Sequence, residues 1–186
     1  MSKQQEHILL EDDAKEPMTL MVEHRLPWLA IGLAGGIFAT ILASRFEELL
    51  TSNIHLTFFI PVIVYMADAM GHQAETVYIR NLGRKNVTYH VYLIKEFILA
   101  TILGVLFGCA LGLFAYFWFG EAQTAITVGI ALSVSISTAP LVALTIPEAL
   151  RREHTDPAVG AGPFATVLQD ITTLLIYFSI ATLIIF

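Results

Sequence analysis

Residues Phe97–Phe119 read FILATILGVLFGCALGLFAYFWF, with no charged side chain among them. A helix needs about 20 such residues to cross a bilayer's hydrocarbon core, and one apolar on every face must be buried in a membrane or in a large protein core. The chain is too small for the second option, and its composition favours the first. Of its 186 residues 56% are hydrophobic and 14% charged, against about 25% charged in a soluble domain, and the mean hydropathy is +0.70. So little polar surface cannot wrap a water-soluble globule. The balance excludes disorder, a nucleic-acid-binding module and most soluble enzymes. The fold class is all-α integral membrane.

Four further spans flank this segment. Pro27–Ala43 (PWLAIGLAGGIFATILA) is the first, with Pro27 suited to a first helical turn, Trp28 to the interface belt, and Gly32, Gly35 and Gly36 to close helix contact. His55–Met70 is a short second span containing Pro61 and Asp68. Thr124–Ile146, rich in Ser and Thr, is the fourth, and Gly162–Phe186 the fifth. Four connections join them: Ser44–Asn53, with an interfacial turn of helix, a polar stretch from Gly71 to His90, a tight turn at Gly120–Gln123, and Pro147–Ala161. Residues 1–26 form an acidic, flexible tail and 27–186 the transmembrane domain. Gly104, Gly108 and Gly112 fall on one stripe of the third span, a packing surface. Cys109 is the single cysteine, so no intrachain disulfide exists, and it reads as a packed small side chain.

Basic residues orient the bundle. With the N-terminus in the cytoplasm, the inside segments hold Lys3, Lys15, Arg25, Arg80, Arg84, Lys85, Lys95, Arg151 and Arg152, and the outside only Arg45. This positive-inside bias predicts a cytoplasmic N-terminus and, with five spans, a C-terminus outside.

Two aspartates interrupt apolar spans, Asp68 and Asp170. An aspartate at a helix centre costs about 2.5–3.5 kcal/mol on insertion scales, so such residues mark ion or substrate routes by default. A protonated Asp bonded to a neighbouring helix is the structural alternative. Thr166, Thr173 and Tyr177 share a helical face with Asp170, and Gln169 flanks it, while Leu168, Ile171, Leu175 and Phe178 form the opposite surface. The stripe reads as pore-lining, or as hydroxyls that glue helices together. Asp170 lies roughly 12 Å inside its span, and Asp68 falls in the same half, so the two can border one cavity. Facing carboxylates repel one another unless a cation lies between them. Oxygen donors favour hard ions such as Mg²⁺, Ca²⁺ or Mn²⁺. Mg²⁺ keeps most of its water, and one Asp per chain holds it better if two chains pair around an axis. His72 either tilts the preference towards transition metals or is a loop histidine without a metal role. No resident cofactor is expected.

At these residues a family likeness emerges. DPAVGAGPFATVLQDITTLLIYF, Asp156–Phe178, resembles the last-helix signature of MgtE-type divalent cation transporters at Asp156, Pro157, Ala158, Gly162, Pro163 and Asp170. FFIPVIVYMADAMGHQAETVYIRNL, Phe58–Leu82, is similar to the second-helix motif at Pro61, Gly71, Gln73, Ala74, Thr76, Ile79 and Arg80. The resemblance covers most of residues 27–186. It implies a homodimeric, channel-like transporter in the plasma membrane, not an enzyme, passing Mg²⁺ along the dimer axis. The second and fifth helices would line the pore. Asp170 would bind the hydrated ion and Asp156 would sit by the cytoplasmic mouth. Asp68 stands within a stretch that the family fills with glycine and asparagine. The family's cytoplasmic N domain and CBS modules have no counterpart in these 186 residues, so gating by that route is not expected. An H⁺- or Na⁺-coupled secondary transporter of Mn²⁺ or Co²⁺ is the alternative. An intramembrane protease is disfavoured, because Gly-x-Gly-Asp is missing around both aspartates.

Overall fold

The computed structural model describes residues 17–82, 88–152 and 157–186, apart from the side chains of 24, 82, 150, 151 and 157–163. Every element described is helical: α1 Met18–Ser44, α2 Glu47–Ser52, α3 His55–Leu82, α4 Tyr89–Phe119, α5 Ala122–Arg152 and α6 Pro157–Ile185. Four of them, α1, α4, α5 (to Ala149) and α6 (from Phe164), are long and apolar enough to cross a membrane. The second expected span, α3, falls outside this group, its apolar stretch being diluted by His55, Asp68 and His72. Its 28 residues nevertheless extend about 42 Å at the helical rise.

At the centre of the bundle α5 packs against α3, α4 and α6, and α1 lies outermost, against α6. The glycine stripe of α4 makes the closest of these contacts. A Cβ on Gly104 would lie 2.6 Å from the Ser133 carbonyl oxygen and one on Gly112 3.0 Å from that of Ala125, while Gly108 abuts Gly129 and Ser133. The stripe is a packing surface, as its spacing predicts. Cys109, one residue off the stripe, is exposed rather than packed. On α1, Gly35 alone of the glycines meets a neighbour, Val167 of α6; Gly32 and Gly36 face open space.

Helix boundaries depart from the sequence reading at several ends: α4 starts at Tyr89 rather than Phe97 and α6 at Pro157 rather than Gly162. α1 begins at Met18, so Pro27 lies inside the helix and residues assigned to the tail are helical. α3 runs on to Leu82 and α5 to Arg152, through stretches expected as polar connections. For α3 the reason is a second small core, in which Ala74, Tyr78 and Leu144 pack with Tyr89, Tyr92 and Leu93; on the α5 end Glu148 accepts from the Tyr78 hydroxyl and from Arg152. α5 retains Pro140 and Pro147 within its length. Most of its hydroxyls turn back on the backbone, as expected: Ser133 Oγ donates to the Gly129 carbonyl at 2.8 Å and Ser137 Oγ to that of Ser133 at 2.7 Å, whereas Thr127 and Ser135 are buried with no partner among the described residues.

The end of the bundle at the α4–α5 turn is tied by side chains. Gly120 closes α4 in the left-handed region at φ 74°, a conformation that suits glycine. Beside it, Thr124 Oγ1 and His55 Nδ1 donate to Glu121 Oε2 at 2.9 and 3.1 Å, and Asn53 Nδ2 donates to Thr124 Oγ1 at 2.8 Å. The His55 ring lies 4.3 Å from that of Phe119.

Candidate cation site

Asp68 of α3 and Asp170 of α6 come together within one protomer, their carboxyl groups close enough to act on each other's charge. Each carboxyl keeps one oxygen, Oδ1, buried without a hydrogen-bond partner. The helices meet here because α3 is stripped of side chain at Gly71. A Cβ at that position would lie 3.3 Å from Ala143 Cβ on α5 and 3.8 Å from Gln169 Oε1 on α6. Gln169 is 3% exposed. Its Nε2 donates to Thr173 Oγ1 at 3.1 Å, whereas its Oε1 is buried without a donor. Three acceptor oxygens from two helices are therefore left unmatched around Gly71. Buried polar atoms in native proteins are normally paired, so such a group calls for an explanation.

The other expected site residues divide. Thr166 is half-buried near Asp170 in sequence, and His72 is exposed but within charge-charge range of Asp68. Thr173 and Tyr177 are 1% exposed and turned into the protomer. Tyr177 OH donates to the Leu56 carbonyl at 2.6 Å, tying α6 to the first turn of α3. Phe178, assigned to the opposite surface, is fully buried and stacks on Phe46 at 4.4 Å. The stripe is thus divided between Asp170 and structural hydrogen bonding. Asp156 lies outside the described residues. Among those described, no group of three or more His, Cys, Asp or Glu side chains is arranged to hold a metal. The donor set is two carboxylates with neutral oxygens, the kind that suits a hard ion retaining its water.

Two buried acids escaped the sequence reading. Glu148 accepts from Tyr78 OH at 2.8 Å and from Arg152 Nε at 2.9 Å. Glu75 is 6% exposed and lies near His72. Both fall in stretches read as connections. The available signal for Glu75 was its spacing, seven residues after Asp68 and on the same helical face.

An all-helical bundle with apolar helices long enough to cross a bilayer, holding two half-buried aspartates side by side, is the architecture of an integral membrane protein. Residues 60–180 match the MgtE family, "Divalent cation transporter", and the chain belongs to that family. It is 32% identical over 161 residues to the "Magnesium transporter MgtE" of Bacillus subtilis, an alignment covering 85% of this chain and 36% of that protein. It is 29% identical to the protein of that name from Enterococcus faecalis (94% and 39% covered) and 30% identical to that of Thermus thermophilus (86% and 36%). The chain spans little more than a third of the length of these relatives. The family is one of transporters rather than enzymes.

Proposed function

We propose that this chain forms a channel-like transporter for divalent cations, Mg²⁺ foremost, as a homodimer in the plasma membrane. In this reading α3 crosses the bilayer as a fifth span, since its length exceeds a hydrocarbon core of about 30 Å. The N-terminus is cytoplasmic and the C-terminus outside, in keeping with the basic residues. Asp170 and Asp68 of each protomer face the pore and hold a largely hydrated ion. Thr166 and Gln169 accept from or donate to its waters, His72 flanks the route, and Asp156 stands at the cytoplasmic mouth. Thr173 orients Gln169 within α6, and Tyr177 holds α6 in register with α3.

The observation that carries this reading is the Asp68–Asp170 pair, with its unmatched buried oxygens. Two carboxylates drawn together in a poorly solvated place repel, and a cation beside them relieves that repulsion. The magnesium transporters named above support Mg²⁺ as the cargo. In this reading no nucleotide drives the flux, and the ion moves down its electrochemical gradient.

Purified protein in liposomes tests the proposal. Mg²⁺ flux is expected in the wild type and absent in Asp170→Ala; wild-type flux in that variant would refute the assignment. The same assay with an imposed pH gradient separates passive flux from the proton-coupled alternative, which requires the gradient.

A further inference from the structure

Asp68, His72 and Glu75 occupy positions i, i+4 and i+7 of α3 and so share one face. Glu75 sits about 10 Å along the helix from Asp68, towards the Leu82 end. It is 6% exposed, yet it takes part in no hydrogen bond or ion pair with the described residues; its neighbour His72 lies only within charge-charge range. Glu148 shows how this chain treats a structural buried acid. At 4% exposure it is met by the Tyr78 hydroxyl and the Arg152 guanidinium. Tyr78 is three residues from Glu75 on the same helix, but its hydroxyl serves Glu148.

Burying a carboxyl without donors is costly, and within a membrane protein an acid so placed marks an ion route. Between Glu75 and Asp68 lies Gly71, the point where Gln169 Oε1 approaches α3 without a donor. Acceptor oxygens therefore run in sequence along α3: the Glu75 carboxyl, then the buried, donorless oxygens of Gln169, Asp68 and Asp170. Mg²⁺ retains several waters and requires only one or two carboxylates, so a single glutamate suffices as a stop. Conduction is also served by successive weak sites rather than by one tight one.

We propose that Glu75 is a second cation-binding position, taking a hydrated divalent ion on the Leu82 side of the Asp68–Asp170 pair. The inference rests on the transport reading above and extends it to a residue outside the family-like positions. In the orientation proposed there, Glu75 is the first buried acid on α3 that an ion meets from the cytoplasmic face.

The test compares wild type, Glu75→Gln and Glu75→Asp in liposomes, with Mg²⁺ flux measured over a range of Mg²⁺ concentrations. Glu75→Gln is expected to melt like the wild type, since no protein hydrogen bond is lost. Its half-saturating Mg²⁺ concentration should rise by about threefold or more, while Glu75→Asp stays within about twofold of wild type. A folded Glu75→Gln protein with wild-type half-saturation overturns the proposal. So does failure of Glu75→Gln to fold while Glu75→Asp folds, because the carboxylate would then be structural. If Glu75→Gln and Glu75→Asp both fail to fold, the position tolerates no change and the assignment is likewise overturned. Absence of Mg²⁺ flux in the wild type would instead defeat the transport reading itself.

Discussion

Two polar clusters in this bundle are built in opposite ways. At the α4–α5 turn, Asn53, His55, Glu121 and Thr124 satisfy one another, with Glu121 Oε2 alone accepting from three side chains. Around Gly71, in contrast, Asp68, Asp170 and Gln169 each retain a buried oxygen without a donor. The first cluster can be explained by stability alone. The second cannot, because pairing these oxygens was within reach of ordinary side chains, as Glu148 demonstrates. The contrast implies that substitutions in the second cluster change transport more than stability, and those in the first the reverse.

Asp170→Asn offers the sharpest way to break that contrast. It removes a buried charge from the unmatched cluster, so Mg²⁺ flux should vanish while the melting temperature holds or rises. A flux-competent but destabilised variant would mean that Asp170 is a structural residue. Asp68→Ala comes next, with flux expected to fall about tenfold, equivalent to about 1.4 kcal/mol. Its thermal stability should be undiminished, and a large drop would place Asp68 with the structural acids. Tyr177→Phe probes the satisfied half of the α6 stripe. Losing its bond to the Leu56 carbonyl should cost about 1 kcal/mol in denaturation experiments, with the Mg²⁺ dependence of flux little changed.

The smallest effect concerns Glu121. The hydrogen bond from His55, and after it that from Thr124, holds the Glu121 carboxyl below the usual carboxylate range. A carboxyl lowered in this way stabilises the fold above its unfolded pKa, and the contribution is lost as pH falls through the lower, folded value. Wild type should therefore lose a small increment of stability on acidification below about pH 4. In Glu121→Gln that increment should be missing at neutral pH and the acid-side loss correspondingly smaller, with flux unaltered. Equal acid sensitivity in the two proteins would remove the cap from this account.

The acidic pair itself was legible from composition and position: an aspartate in an apolar span is conspicuous, and two in the same half suggest a meeting. Much of the polar stripe was not. Periodicity puts Thr173 and Tyr177 on the face of Asp170 without saying what that face touches, and α3 turns out to cover part of it. Glu75 and Glu148 were hidden by helix ends that local composition reads as loops. The α3 end packs Ala74 and Tyr78 against Leu144, Tyr89, Tyr92 and Leu93, and Tyr78 also meets Glu148 on α5, all across long sequence separations.

The amino-acid sequence alone determined the membrane class, the glycine seam of α4 and the presence of Asp68 and Asp170, since each follows from hydropathy or spacing within one helix. Only the tertiary structure decided which acids are matched and which are left open. That choice depends on which neighbouring helix supplies a donor, and no single helix contains this information.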